Sequence, residues 1–500
     1  MNVRDGALCG REEDGVRAFL GIPFAAPPVG ERRFAAPQPP TPWTTVLDAS
    51  RPGPAVPQPP GRLNALMGKP SGEYSEERAL TLNVWAPAGA KDLPVLFWLH
   101  GGAWVSGSAG WGWYSGARLA AEHEIVVVTA NYRLGVLGYL CFADLLDGLG
   151  DGNFGLLDQM AALEWTAENV AAFGGDPGQI TVGGHSAGAH SAALLAASPR
   201  TGHLAQRLIF QSGGITPAAQ SREQATSVAA EFLAVLRLER RGAATALRDA
   251  GVDQLLAAQV ELISRVAASG VATPFGPVAD AIAPAGGAIQ SLGSRSGLDV
   301  LTGWTRDELF GFARLNPAAA SIGRDTAIAA LRGQYGDETA PRLYARYEAL
   351  RPTATPAELV AAVNGDRVML WPALRFAEER AARGETTYVY RFDWAGSAFG
   401  ACHCVDLPFT FDHLEAWGDD AGMLGDVPRD SLRPLARAFS GSIGRFVRTG
   451  RPATPGAGGW TPYRAGDRSI ARFDTPGVAA DAELGRAEQL AFEDLGVPPV

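Results

Sequence analysis

Between residues 179 and 197 a β-branched apolar stretch runs through Gly184-His185-Ser186-Ala187-Gly188 into an Ala/Leu-rich stretch, and this passage constrains the fold most. Gln179-Ile180-Thr181-Val182-Gly183 reads as a short buried strand. Ala189 to Ala197, free of Gly and Pro, reads as a helix. A G-x-S-x-G pentad between a strand and a helix predicts a sharp, strained turn that presents the serine hydroxyl, the nucleophile elbow. Glycines beside the serine let backbone pack close around it. The hydroxyl then stands at a helix N-terminus, where free N–H groups and the helix dipole favour negative charge. Alone, the pentad is also compatible with an ordinary Gly-rich turn in a chain with 61 glycines. Its surroundings must decide.

Leu80 to Trp85, Val95 to Leu99 and Ile125 to Thr129 are strand candidates. The last two are near-continuous apolar runs, as expected of strands covered on both faces. Phe154 to Ala172 repeats Leu156, Met160, Leu163, Ala167 and Val170 at helical spacing, and Gly174-Gly175 ends that helix. Further strands are expected at Arg207 to Gln211, Leu298 to Thr302 and Thr386 to Phe392. A C-terminal helix carries Leu432, Leu435, Phe439, Ile443 and Phe446 on one core-facing stripe. The alternation predicts an α/β chain with a large, mostly parallel sheet and helices on both faces. The first ~75 residues, with prolines clustered at Pro27-Pro28, Pro37 to Pro42 and Pro52 to Pro60, read as loop-rich. Residues 220 to 290 turn helical and polar, an insertion on the sheet. No linker divides the chain, so residues 1–500 are expected to form a single domain with excursions.

A formal net charge of −10 with no long basic run argues against a nucleic-acid partner. No uninterrupted apolar stretch reaches membrane-spanning length, so no membrane partner is expected. Met1 to Gly6 shows no signal-peptide pattern, which makes the cytoplasm the expected location. Cys9 and Cys141 read as isolated small hydrophobes. Cys402 and Cys404 flank His403, but such neighbours do not readily converge on one tetrahedral ion and no second Cys pair completes a site. No metal is expected.

A serine hydroxyl needs a base to become a nucleophile, and the oxyanion it creates needs donors. Trp98-Leu99-His100-Gly101-Gly102-Ala103-Trp104, at the end of an apolar strand, offers backbone N–H groups in a Gly-rich turn. With the N–H of Ala187 these form the oxyanion hole usual after such an elbow. The base must come from the histidines at 100, 123, 185, 190, 203, 403 and 413. His185 adjoins the serine and points away from it, and His190 lies one helical turn on. His100 belongs to the oxyanion turn, His123 precedes a strand, and His203 sits in a helix-end loop. His403 and His413 remain, both after the late strand, in the chain order that hydrolases with this elbow follow. An acid must fix the imidazole tautomer, and Asp307-Glu308 follow a strand at its C-terminal edge.

Several blocks, in order, resemble the type-B carboxylesterase/cholinesterase family over nearly the whole chain. They are Phe19 to Gly30, Leu82-Asn83-Val84-Trp85, His100 to Trp104, Asn131-Tyr132-Arg133-Leu134-Gly135, Gly152 to Gln159 and Ala172 to Pro177. The chain looks most like bacterial carboxylesterases of p-nitrobenzyl-esterase type, which have carbamate-hydrolysing relatives. The resemblance implies an α/β-hydrolase fold, Ser186 as nucleophile, Glu308 as acid and His403 as base. It also implies oxyanion donors at Gly102, Ala103 and Ala187, and no cofactor. Three positions depart from the family. His185 stands where Glu is usual, which removes a carboxylate beside the nucleophile. Leu309 replaces the Gly that commonly follows the acid. Ala79 replaces the early cysteine of secreted members, so their usual disulfide cannot form, in keeping with an intracellular chain.

The expected activity is hydrolysis of small to medium carboxylic esters through an acyl-enzyme, with the substrate a small molecule. Trp104, Phe275, Phe310, Phe312 and Phe399 are candidates to line an apolar pocket, and each is equally compatible with plain core packing. An amidase or carbamate hydrolase with the same residues is the alternative, and a non-catalytic interaction module a remote one. Monomer and weak dimer are both compatible with the sequence.

Overall fold

The proline-rich opening, read as loop, holds strands: β1 (Asn2–Val3), β2 (Gly6–Cys9), β3 (Arg11–Glu13), β4 (Val16–Pro23) and β5 (Leu47–Asp48). The prolines fall between these strands or at their ends, where no ladder N–H is lost. They punctuate the region without preventing pairing. The computed structural model describes every residue except 62, 214–218, 269–273, 281, 284–291, 293–294, 454–459, 465, 476 and 499–500. Later strands are β6 (Thr81–Pro87), β7 (Leu93–Leu99), β8 (Val126–Ala130), β9 (Gly175–His185) and β10 (Ala205–Gln211). They continue with β11 (Asp299–Thr305), β12 (Thr387–Phe392), β13 (Ile470–Phe473) and β14 (Val478–Ala480). Each strand expected from the sequence is present, within a few residues of its expected ends.

The chain forms two compact units. The first comprises Met1–Arg62, Pro70–Ile209 and Pro217–Arg295; the second comprises Leu63–Lys69, Phe210–Thr216 and Ser296–Val500.

In the first unit the strand order is β3-β4-β6-β8-β7-β9-β10, and β1, β2 and β5 form a small separate sheet. β3, β4, β6 and β8 pair antiparallel in succession, whereas β7 runs parallel to both β8 and β9. All of β8 is buried and so is β7 beyond Leu93, which is why these strands read as unbroken apolar runs. Leu99 is registered opposite Gly184, so the turns that follow β7 and β9 begin side by side. Both lie at a C-terminal strand edge, where open α/β sheets place their sites. The helix Phe154–Asn169 continues as a 3₁₀ turn to Phe173. Buried Asp158 on that helix accepts from Arg133 Nε at 2.7 Å and Arg133 Nη2 at 2.8 Å, pinning the loop after β8. The stretch read as a helical insertion contains helices Arg222–Val235, Arg240–Asp249 and Val252–Ala268. Its later part lies largely outside the described residues.

In the second unit β11, β12 and β13 are parallel and β14 closes the order antiparallel. The helix Arg429–Thr449 buries Leu432, Leu435, Phe439, Ile443 and Phe446, the stripe read from the sequence. Between β11 and β12, where the sequence pattern predicts no element, lie helices Arg324–Leu350, Pro356–Gly365 and Trp371–Ala382. Gly336 at φ 77° and Pro341 interrupt the first, which masks its period in the sequence. Among the described residues no helix is long and apolar enough to cross a membrane.

Candidate active site

Ser186 sits between β9 and the helix Ala187–Ala197 with φ 55° and ψ −123°. Such a conformation in a non-glycine residue costs about 1–3 kcal/mol, so the surroundings must enforce it. They do so sterically. A Cβ on Gly184 would lie 2.4 Å from the Gly188 carbonyl carbon, and one on Gly188 would lie 2.1 Å from Leu99 O. Only glycine fits on either side of the turn. Ala187 is the first residue of the helix, so its N–H has no intrahelical acceptor.

The turn after β7 packs against this elbow. A Cβ on Gly101 would lie 2.9 Å from His185 O and 3.2 Å from Ser186 Cβ. Gly102, Ala103 and Trp104 follow in succession at φ 118°, 54° and 58°. Backbone turned this way aims neighbouring N–H groups into one concavity, a shape that suits anions. His100 braces the turn: it is buried, and its Nδ1 lies 2.8 Å from Gly101 O. Burial pushes the imidazole down to about 4 against the raising effect of that carbonyl, so it is neutral at physiological pH and its Nδ1–H donates. From the sequence His100 is expected in this turn, without this bracing role. The Trp104 indole N–H donates to buried Ser191 Oγ at 3.1 Å, and His190 stands edge-on to its ring.

The second unit brings Glu308 and His403 together. Glu308 follows β11 and is 3% exposed; His403, in the loop after β12, is 5% exposed. His403 Nδ1 donates to Glu308 Oε2 at 2.6 Å, and the His403 backbone N–H donates to Glu308 O at 3.0 Å. The other Glu308 oxygen accepts from the Thr305 N–H at 2.9 Å. The carboxylate therefore fixes the imidazole with a proton on Nδ1 and Nε2 left as the basic nitrogen. Asp307 is turned to other partners. Its Oδ1 accepts from Arg351 Nη1 at 2.7 Å, and its Oδ2 accepts from the Ala401 N–H at 3.0 Å and from Arg306 Nη2 at 2.9 Å. Burial pushes this carboxyl up, but Arg306 and Arg351 outweigh it and hold it below the usual carboxylate range.

Asp406, three residues past His403 and fully buried, is not among the residues expected at the site from the sequence. It accepts from Tyr390 Oη at 3.1 Å and from Gln211 Nε2 at 3.4 Å. Burial, then nearby Glu308, push its carboxyl up to about 7, with His403 acting in the opposite sense. An acidic residue so close in sequence to the histidine is the signal that points to it. Burial also pushes the Cys402 thiol up to about 12 and the Cys404 thiol well above its ordinary value. Neither is a ready nucleophile. Cys9, read as a small hydrophobe, is exposed.

The remaining candidates are scattered. His190 Nδ1 lies 3.0 Å from Ser186 O, one helical turn below the nucleophile. His123 ends the helix Ala117–His123, and His203 lies in the 3₁₀ turn Gly202–Leu204. His413 follows the short helix Leu407–Thr410. Phe275 is fully buried beside Gly276, whose Cβ position lies 3.4 Å from the Trp104 ring. The Phe312 ring is 6.1 Å from the His403 ring. Phe310 lies beneath the Arg351 guanidinium at 5.3 Å, and a Cβ on Gly422 would meet Phe399 at 3.1 Å.

The model of the family described as "Carboxylesterase family" matches residues 1–492. The chain is 35% identical to phenmedipham hydrolase of Pseudarthrobacter oxydans over 98% of each sequence. It is 34% identical to para-nitrobenzyl esterase of Bacillus subtilis (strain 168) over 99% of each. Among solved structures, the Geobacillus stearothermophilus carboxylesterase EST55 at pH 6.2 superposes with a TM-score of 0.85 at 34% identity, covering 97% of this chain and 98% of its own.

Proposed function

The chain belongs to the carboxylesterase family, has the α/β-hydrolase fold and is a carboxylic-ester hydrolase, and we propose that Ser186, His403 and Glu308 carry its reaction. The observation that carries the reading is the strained Ser186 at a helix N-terminus, held there by glycines that tolerate no side chain. In the proposed course His403 Nε2 takes the Ser186 hydroxyl proton as Oγ attacks the ester carbonyl. The Gly102, Ala103 and Ala187 N–H groups receive the oxyanion, and His403 returns the proton to the departing alcohol. A water, deprotonated by the same imidazole, then attacks the acyl-enzyme and releases the acid. Glu308 holds the imidazolium in place throughout. We place the substrates among small to medium esters. The enzyme is assigned to the cytoplasm, in keeping with its free cysteines.

Hydrolysis of p-nitrophenyl acetate and butyrate by wild type and Ser186→Ala tests the assignment. Loss of nearly all turnover, on the order of 10⁶-fold, is expected. Turnover that survives the substitution would assign the chemistry elsewhere. A second reading, in which the same residues cleave a carbamate or amide, is favoured by the relative named phenmedipham hydrolase. Comparing an ester with its isosteric carbamate and anilide separates the two.

A further inference from the structure

Glu308 and His403 are 95 residues apart in the chain and sit on two separate loops. Part of what holds those loops in register lies beside the acid. Asp307 N–H donates to Ala401 O at 2.9 Å, and Ala401 N–H donates back to Asp307 Oδ2 at 3.0 Å. The carboxylate thus stands in for a backbone carbonyl and completes a rung between the acid loop and the histidine loop. The next rung is His403 N–H to Glu308 O at 3.0 Å. Close approach is required here, since Gly400 is at φ 71° and its Cβ would lie 2.7 Å from Asp307 Oδ2.

Asp307 is itself clamped from behind. Arg351, at the end of the helix Arg324–Leu350, donates Nη1 to Asp307 Oδ1 at 2.7 Å and Nη2 to Arg306 O at 3.0 Å. Its guanidinium lies over the Phe310 ring, and its side chain is 16% exposed against 5% for Asp307. A fork of this kind fixes direction as well as distance, which a single point charge would not.

We propose that Asp307 and Arg351 form a clamp that positions the Glu308–His403 pair, so that Asp307 is a positioning residue for ester hydrolysis although it does not touch His403. The inference rests on the proposed roles of Ser186, Glu308 and His403. Removing the carboxylate leaves Ala401 N–H and Arg351 Nη1 without their acceptor, and the histidine loop loses one of its rungs. Misplacement of a reacting group by about 1 Å is enough to lose roughly 100-fold in rate. An Asn at 307 retains one acceptor oxygen, while its amide N–H group would face Arg351. Its effect therefore falls between that of Ala and that of the native residue.

The test compares Asp307→Ala, Asp307→Asn, Arg351→Lys and Arg351→Met on p-nitrophenyl acetate, with kcat expressed per site titrated by an active-site serine reagent. Asp307→Ala should lower kcat about 10- to 100-fold, with KM unchanged within about twofold. Asp307→Asn and Arg351→Lys should each recover part of that loss relative to Asp307→Ala and Arg351→Met. The low-field proton resonance of the His403 Nδ1–H should shift or broaden in step with kcat. A kcat per titrated site equal to wild type in Asp307→Ala overturns the clamp. If that variant does not fold, wild-type kcat in both Asp307→Asn and Arg351→Met overturns it equally. Loss of turnover in Ser186→Ala shows that the underlying reading stands whichever way the clamp falls, and turnover surviving there sinks that reading instead.

Discussion

The elbow around Ser186 and the pair Glu308–His403 are built on opposite principles. At the elbow, shape does the holding: glycines at 184 and 188 admit backbone at distances no side chain could tolerate, and Ser186 is forced into a strained conformation with positive φ. Around the pair, polar contacts do the holding: Thr305 N–H on one Glu308 oxygen, His403 on the other, and the Asp307–Arg351 fork beside them. A steric device is all-or-none, because a clash of several tenths of an ångström with backbone has no soft way out. A polar device is graded, because a substituted group can keep some of the bonds. The difference shows how brittle each half should be to substitution.

The largest effect on the polar side should come from Glu308→Gln. The amide keeps an acceptor for Thr305 N–H but carries no charge, and it can offer His403 a donor where an acceptor is needed. A fall in kcat of about 10³–10⁴-fold is expected, by analogy with removal of the charge from a catalytic acid elsewhere. Glu308→Asp, shorter but charged, should lose less. If Gln and Asp were equally damaging, the graded picture of this half would be broken, and reach rather than charge would be what the position supplies. Asp307→Asn should retain most activity beside Glu308→Gln, and the reverse order would exchange the two carboxylates' roles.

Gly188→Ala probes the steric side and should lower kcat about 10²–10³-fold, since the added methyl meets Leu99 O and drives the Ala187 N–H away from its position. Any larger residue there should do no worse than Ala. A stepwise worsening from Ala to Ser to Val would show that the elbow yields, and the contrast between the halves would weaken.

The same contrast explains what could be read from the amino-acid sequence. The elbow is local: strand, pentad and helix are contiguous, and the apolar runs of β7 and β8 declare strands buried on both faces. The Gly-rich turn follows β7 directly and is legible for the same reason. The Glu308–His403 hydrogen bond joins residues far apart in the chain, so spacing leaves His413 and Asp307 in contention. Only the family resemblance, which implies Glu308 and His403, separates them. Arg351 carried no such sign, because its helix is interrupted at Gly336 and Pro341 and its period is lost. Asp406 and Asp366 look like surface acids in the sequence and are buried only because tertiary packing covers them.

Asp366 offers the smallest and most diagnostic effect. It lies in the π-helical turn Asp366–Leu370 and accepts from Tyr347 Oη at 2.9 Å. Burial pushes its carboxyl up from 3.8 to about 7, with Arg351 opposing the shift and Glu488 adding to it. In the unfolded chain the group ionises near 4, while in the folded protein it stays protonated until about pH 7. The native state therefore binds the extra proton between those limits, and stability falls as pH rises through that window and levels off above it. Asp366→Asn keeps the acceptor for Tyr347 and cannot ionise. Its Tm should match wild type near pH 4 and exceed it by a few degrees at pH 8, the gap opening between pH 4 and 7. A gap independent of pH would mean the carboxyl is already ionised in the fold. Gly188→Ala, acting through shape, should shift Tm by the same amount at both pH values. Measuring the two variants together thus separates charge from sterics as the source of order in each half.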